Sequence, residues 1–502
     1  MDHFDTEVAK TREELCLVMN LQDNVDISNL MRKHISKGSP KQALLLYEAI
    51  RRKGVFFPGW IPLLLKACAC VPNFVLGKQL HSESIKFGIH SDVMVRTSLI
   101  KMYSQSGCIV SARNVFDEML ERNVATWNAM IGGYMWNGDA LSATRLFGEI
   151  IGSGNEVTWI AWAVMLGGYV SNREMEAARM FFEEIPEKNS FVWSLMISGY
   201  FRAGDVDEAS GVFNRVKVRD LVIWNSLITG YAQNGYSDGA IDAFYKMQGE
   251  GFEPDAVTVS SVLSACAQSC RLDVGREVHS LINRIGIELN EFVSNALIDM
   301  YAKCGDLENA TSVFESLSVR SVACWNSMIS CLAIHGKGGE ALEMFRTMDT
   351  KPDEITFLAA LSACVHGGFL VDGLKIFLEM KNRDVKPNVK HFGCLVHLLG
   401  RSGKLKEAYG LVREMPVKPN DTVLGALLGA CKVHMDTEMA EQVMKIIETA
   451  GSVINGDSEN HLVLISNLYA HAESWQTAET LRVEMEKRGL EKSTGLSSLV
   501  LT

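Results

Sequence analysis

The sequence predicts an all-α protein, a solenoid of stacked helix-turn-helix repeats, and three observations carry that prediction. The first is the stretch from Leu221 to Asp255, LVIWNSLITGYAQNGYSDGAIDAFYKMQGEGFEPD. Trp224, Leu227, Ile228 and Tyr231 fall at i, i+3, i+4 and i+7, and Ala240, Ala243, Phe244 and Met247 repeat that spacing after Asn234-Gly235. The pattern is two amphipathic helices and a turn. Gly235 supplies the backbone freedom of the turn, and Pro254 closes the unit because proline cannot continue a helix. The second observation is recurrence. VATWNAMIGGYMWNG begins at Val124, SFVWSLMISGYFRAG at Ser190, EFVSNALIDMYAKCG at Glu291 and VACWNSMISCLAIHG at Val322. Unit starts fall at 93, 124, 159, 190, 221, 256, 291, 322, 354 and 389, separated by 31, 32 or 35 residues. The third is that neither helix could bury its apolar stripe alone, so each unit must stack on its neighbours.

Composition agrees with such an array. A solenoid grows by addition, so all 502 residues can belong to one elongated stack rather than to separate globular cores. Hydrophobic content of 47% and a mean hydropathy of +0.06 leave ample material for burial, yet no apolar run reaches membrane-spanning length. Lys+Arg 49 against Asp+Glu 60 gives a net charge of −11, which argues mildly against a polyanion partner while leaving room for a local basic groove. Twelve scattered cysteines do not form a disulfide framework. Ala67-Cys68, Ala265-Cys266, Ala363-Cys364 and Ala430-Cys431 share one register, as small apolar pairs do where helices pack closely.

Taken in order, residues 1–23 are polar and acidic, unlike the Arg- and Ser-rich, acid-poor composition of an organelle transit peptide. A weaker unit spans about Asn24 to Pro58. A variant follows, WIPLLLKACACVPNFVLGKQLHSESIKFG, which recurs as TVSSVLSACAQSCRLDVGREVHSLINRIG and more loosely as TFLAALSACVHGGFLVDGLKIFLEMKNRD. Short, long and variant units therefore alternate. Many second helices begin after pairs such as Gly204-Asp205 and Gly305-Asp306, where the carboxylate can cap backbone N–H groups. Beyond Asn420 the periodicity loosens, but DTVLGALLGACKVHMDTEMAEQVMKIIETAG and ENHLVLISNLYAHAESWQTAETLRVEMEKRG still read as two helix pairs.

A unit of 31 to 35 residues with WN near its start, GY before the turn, A-x-x-x-F in the second helix and Pro-Asp at its end resembles the pentatricopeptide repeat. Alternation with LLKACA…GKQLHS units is similar to the plant PLS subclass, and residues 421–490 are similar to its C-terminal E domain. The resemblance implies a right-handed superhelical solenoid: an N-terminal segment 1–23, about twelve repeats over 24–420, the E-like helix pairs over 421–490 and a tail over 491–502. Members of the subclass usually continue with Gly-x-Ser-Trp-Ile-Glu, whereas this chain has Gly495-Leu496-Ser497-Ser498-Leu499-Val500, so no DYW deaminase domain is expected.

Repeats of this kind read one base per helical pair with two or three side chains. By resemblance, those side chains are the fifth and last residues of each unit. The residues singled out are Thr97 and Asn123, Asn128 and Thr158, Ala163 and Asn189, Ser194 and Asp220, Asn225 and Asp255, Asn295 and Ser321, and Asn326 and Asp353. Thr97 with Asn123 resembles an adenine reader and Ser194 with Asp220 a guanine reader. Asn225 with Asp255 and Asn326 with Asp353 resemble uracil readers, and Asn295 with Ser321 a pyrimidine reader. The competing reading is that these side chains merely solvate a helix face and cap a turn. Arg202, Lys303 and Arg401 share the end of the first helix, where a cation suits the helix dipole and can also meet phosphate.

Enzyme signatures do not survive inspection. His81-Ser82-Glu83 matches half of a zinc-deaminase pattern, but no downstream Cys-x-x-Cys completes it, and His81 occupies the register of His279. No cofactor, metal or small-molecule substrate is expected. The resemblance implies a specificity factor for C-to-U editing of single-stranded RNA in a mitochondrion or chloroplast, recruiting a separate DYW-type deaminase or other editing factors through residues 421–490. A factor for RNA stability, splicing or translation is the alternative within the same class. A tetratricopeptide-like protein adaptor is the alternative of another class, although Ile228 stands where that repeat wants Gly.

Overall fold

A computed structural model describes residues 24–449, apart from 37, 53–55, 72 and 153–157, together with scattered positions between 466 and 483. The first segment 1–23, most of the second E-like helix pair and the tail lie outside the described residues. Every described secondary-structure element is helical. The chain divides into two units, 1–265 and 266–502, and each is a stack of helical hairpins.

In the first unit the hairpins include Val93–Gln105 with Ile109–Asp117, Val124–Trp136 with Ala140–Gly152, Trp159–Ser171 with Met175–Glu184, Ser190–Ala203 with Val206–Arg215, and Leu221–Gln233 with Ser237–Gly249. In the second they include Glu291–Lys303 with Leu307–Ser316, Val322–Ile334 with Gly338–Thr347, Glu354–Gly367 with Leu370–Asn382, and Val389–Arg401 with Leu405–Glu414. Each first helix packs on its own second helix and, within a unit, on the first helix that follows. The first helices therefore form a continuous inner row in each unit.

The core follows the predicted stripes. Trp224, Leu227, Ile228, Ala240, Ala243, Phe244 and Met247 are all buried. Tyr231 is only half-buried, and its hydroxyl lies 2.8 Å from Ser210 Oγ on the preceding hairpin. Cys68, Cys266, Cys364 and Cys431 are fully buried, and burial pushes each thiol up to about 12, as expected of cysteines used for packing. Helix starts also follow the expected chemistry. Asp205 accepts from Glu208 N–H and Asp306 from Asn309 N–H.

Two recurring contacts fix the stacking. At the C-terminal end of a first helix, Asn137, Asn172 and His335 just after it and His434 as its last residue each donate to a carbonyl near the end of the preceding first helix, at Ser104, Met135, Ala302 and Gly400, over 2.8 to 3.1 Å. Helix C-termini leave carbonyls without intrahelical partners, and these donors satisfy one per unit. The second contact is a cationic clip between consecutive hairpins. Arg219 lies 4.7 Å from the Phe213 ring and 5.8 Å from the Trp224 ring, while those rings meet edge to face at 4.8 Å. Arg122 repeats this with Phe116 and Trp127, and Arg320 with Phe314 and Trp325. Nothing in the helical periodicity signals the clip, because its arginine lies in a loop.

Gly230 leaves room for a side chain of the preceding inner helix. A Cβ there would run into the Phe201 ring of the preceding first helix. Gly133 and Gly168 meet Ser104 and Met135 in the same way. Gly230→Ala is accordingly expected to lower stability by about 1–3 kcal/mol, the range for overpacking a filled site, read as a lower midpoint in urea with an unchanged slope.

Candidate nucleic-acid interface

The polar pairs sit on this inner row, and the way they are built explains what they can do. The last residue of a unit immediately precedes the next first helix, so it is also that helix's N-cap. Asn123 accepts from Thr126 N–H, Asn189 from Val192, Asp220 from Ile223, Asp255 from Thr258, Ser321 from Cys324 and Asp353 from Thr356, over 2.8 to 3.3 Å. Thr158 stands in the same place without a side-chain cap bond. The capping reading is thus correct for most of these residues. It accounts for one oxygen of each side chain.

The fifth residue lies one turn into the same inner helix, and its reach decides whether it meets the next cap. Asn225 Nδ2 donates to both carboxylate oxygens of Asp255, at 3.1 and 3.0 Å. Thr258 Oγ1 sits 2.6 Å from Asn225 Oδ1 and 2.9 Å from Asp255 Oδ1, tying the pair to the next helix. Asn326 Nδ2 donates to Asp353 Oδ1 at 3.1 Å, and the Thr356 hydroxyl donates to the same oxygen at 2.8 Å. Thr97 is too short to span the gap, so its hydroxyl meets Thr126 Oγ1 at 2.9 Å, which in turn lies 2.9 Å from Asn123 Oδ1.

The remaining pairs are not joined by a hydrogen bond of this kind. Ser194 is buried and donates to Phe191 O, leaving Asp220 as a cap only. Ala163 is buried and apolar beside Asn189. Asn295 accepts from Ser327 Oγ at 2.7 Å rather than engaging Ser321. Asn128 Oδ1 and Thr158 Oγ1 are both buried without a hydrogen-bond partner, and Asn326 Oδ1 shares that state. A buried acceptor without a donor is uncommon and is satisfied readily by an incoming N–H group.

An apolar file that the helical period does not single out lies beside these pairs. Met94, Ile160, Phe191, Val222, Val257, Phe292 and Ile355 occupy the second position of their helices and are 44–75% exposed. Residues three apart on a helix share a face, so each second-position side chain flanks the fifth residue of its own unit. The signal was present in the sequence as an apolar residue three before each fifth residue. It was hidden because the core stripe is apolar too.

The three cations differ. Arg202 is exposed, Lys303 forms an ion pair with Asp299 at 2.8 Å, and Arg401 donates to Val365 O at 2.8 Å. Arg401 thereby takes the helix-end role that asparagine and histidine take elsewhere. His81 and His279 each contact a tyrosine hydroxyl, Tyr103 and Tyr301, at 2.8 Å, and burial lowers both imidazoles below their ordinary range. Among the described residues no cluster of three or more His, Cys, Asp or Glu could hold a metal ion, and no helix is long and apolar enough to cross a membrane.

Stacked helical hairpins with paired polar residues on one row of helices define an α-solenoid recognition protein. Comparison with known proteins narrows the class. The PPR repeat matches residues 95–124, 125–155, 160–190, 191–221, 292–322, 323–351 and 355–385, with related PPR matches at 219–268 and 383–416 and an E motif at 434–500. A pentatricopeptide repeat-containing protein of Arabidopsis thaliana is 74% identical over 96% of this chain and the whole of its own length. Another from the same plant, described as mitochondrial, is 33% identical over 99% of this chain and 78% of its own. The chain belongs to the pentatricopeptide repeat family. Its fold is similar to that of the pentatricopeptide repeat protein PPR10 in complex with an 18-nt PSAJ RNA element, with a TM-score of 0.65, 18% identity, and coverage of 95% of this chain and 76% of that one.

Proposed function

We propose that this protein binds single-stranded RNA along the inner helices and acts in a plant mitochondrion or chloroplast as a site-recognition factor for C-to-U editing, a binding factor rather than a catalyst. One observation carries the RNA reading. Asn225 and Asp255 are held together by hydrogen bonds and flanked by exposed Val222 and Val257, and the arrangement returns at Asn326, Asp353 and Ile355. A polar pair between apolar side chains suits a base whose Watson–Crick edge is hydrogen-bonded while its faces are covered. The RNA-bound relative of the same fold supports the reading, and the E motif supports recruitment of a DYW-type deaminase or other editing factors in trans through residues 421–490.

In the 5′ to 3′ direction the middle of the target would read adenine, pyrimidine, an unassigned base, guanine, uracil, a gap, pyrimidine and uracil. Fluorescence anisotropy with RNAs varied at the guanine and first uracil tests this. Binding at micromolar concentration or tighter, weakening with salt and lost on changing those two bases, is expected. Equal binding to all variants would overturn the base-reading assignment. Loss of conversion at a single organellar cytidine in plants lacking the gene tests the editing role.

A further inference from the structure

We infer that Trp136 carries one unstacked base of the bound RNA, the base facing the unit that begins at Trp159, an inference that rests on the RNA-binding reading above. Trp136 closes the inner helix Val124–Trp136, in the register that holds Arg202, Lys303 and Arg401 elsewhere, and its indole is 66% exposed. It walls a cleft of about 700 Å3 together with Lys101, Asn128, Gly132, Ile160 and Val164. A second cleft of about 370 Å3 shares Gly132, Trp136 and Val164 and continues to Ser171. The indole thus borders open space along two consecutive units.

Packing does not require the glycine that helps open this cleft. A Cβ at Gly132 would touch only Val164, at 3.4 Å, whereas one at the adjacent Gly133 would strike Ser104. At the same register the next inner helix also carries a glycine, Gly167, which lines the second cleft, whereas other inner helices carry Lys101, Thr229 or Asp299. An independent feature marks the cleft as a place for a ligand. Asn128, which lines it, holds a buried Oδ1 with no donor, and the neighbouring Thr158 hydroxyl is also without a partner. An acceptor of this kind matches the amino or imino N–H of a nucleobase.

The division of labour follows from what each unit offers. Asn128 meets the second base of the target through its acceptor. The next unit has buried Ala163 at its fifth position and no polar group there to give. Stacking can hold the third base instead, in the cleft that Trp136 and the half-exposed Ile160 both line. Every base has a π-face, so this contact tolerates any base identity and favours purines by area. Exposed Lys101 at the rim can meet the adjoining phosphate.

The test uses the full chain and an RNA carrying adenine, cytosine, any base, guanine, uracil, any base, cytosine and uracil, with 2-aminopurine at the third position. Wild-type protein is expected to quench the 2-aminopurine on binding. Trp136→Ala should abolish the quench and weaken binding by about tenfold, and Trp136→Phe should lie between. An abasic third position should weaken wild-type binding to the same extent and erase the difference between wild type and Trp136→Ala, which removes dependence on any one variant. Trp136→Ala binding as tightly as wild type with the quench intact, or an abasic site without effect, overturns the inference while leaving RNA binding in place. Failure of wild type to bind the RNA overturns the RNA reading and this inference together.

Discussion

Converting Asn225 and Asp255 to Thr and Asn is expected to change the fifth base of the target from uracil to adenine without unfolding the repeat. The exchange copies a pair already present in the chain, Thr97 with Asn123, onto an inner helix of the same register. Asn at 255 keeps the N-cap, since Asn123 and Asn189 cap equivalent helices. Thr at 225 can bond Leu221 O and Thr258, as Thr97 bonds Val93 O and Thr126. Stability should therefore change little. Preference between uracil and adenine at that base should invert, with each mismatch costing about 1–3 kcal/mol, or roughly 5- to 150-fold in affinity. Paired anisotropy titrations on RNAs differing at that one base measure it, and a double variant that still prefers uracil would show that these residues do not read the base.

Trp224→Ala is expected to produce the largest loss of folding free energy of any change described, about 3–5 kcal/mol, as for other buried tryptophans. Trp224 is 2% exposed, meets Phe213 edge to face and lies under Arg219. Its removal opens a cavity and dissolves the clip that holds two hairpins together. In a solenoid each hairpin leans mainly on its neighbours, so the damage should be local. Hydrogen exchange should speed up over about 206–249 while the helices near residues 93–136 keep their protection. Uniform acceleration across the first unit would contradict that locality.

Much of this architecture was legible from the residues alone. The i, i+3, i+4 spacing of Trp224, Leu227 and Ile228 identified the buried face because burial of a helix is periodic and every unit repeats the period. The Gly-Asp helix starts were legible for a similar reason, since capping chemistry is local. The arginine clip was not. Arg122, Arg219 and Arg320 act between a second helix and the following first helix, and a contact across a loop leaves no helical spacing to find. The candidate interface was legible in part. The fifth and last positions were identifiable by register, and Asn225 does meet Asp255. That Ser194 turns back to Phe191 O within its own helix, or that Asn295 engages Ser327 on the next helix instead of Ser321, depends on side-chain rotamer and reach, which sequence spacing does not encode.

On the proposed base-reading role, the last residue of each unit would both cap a helix and choose a base, with a consequence for how such a protein changes its target. From the unit starting at 93 to the one ending at 420 that position holds Asn, Thr, Asn, Asp, Asp, Asn, Ser, Asp, Asn and Asn, all drawn from the four side chains that best begin a helix. Folding has already restricted the alphabet in which specificity is written. Drift among those four letters leaves the scaffold standing, so new addresses can be explored through single substitutions that are nearly silent for stability.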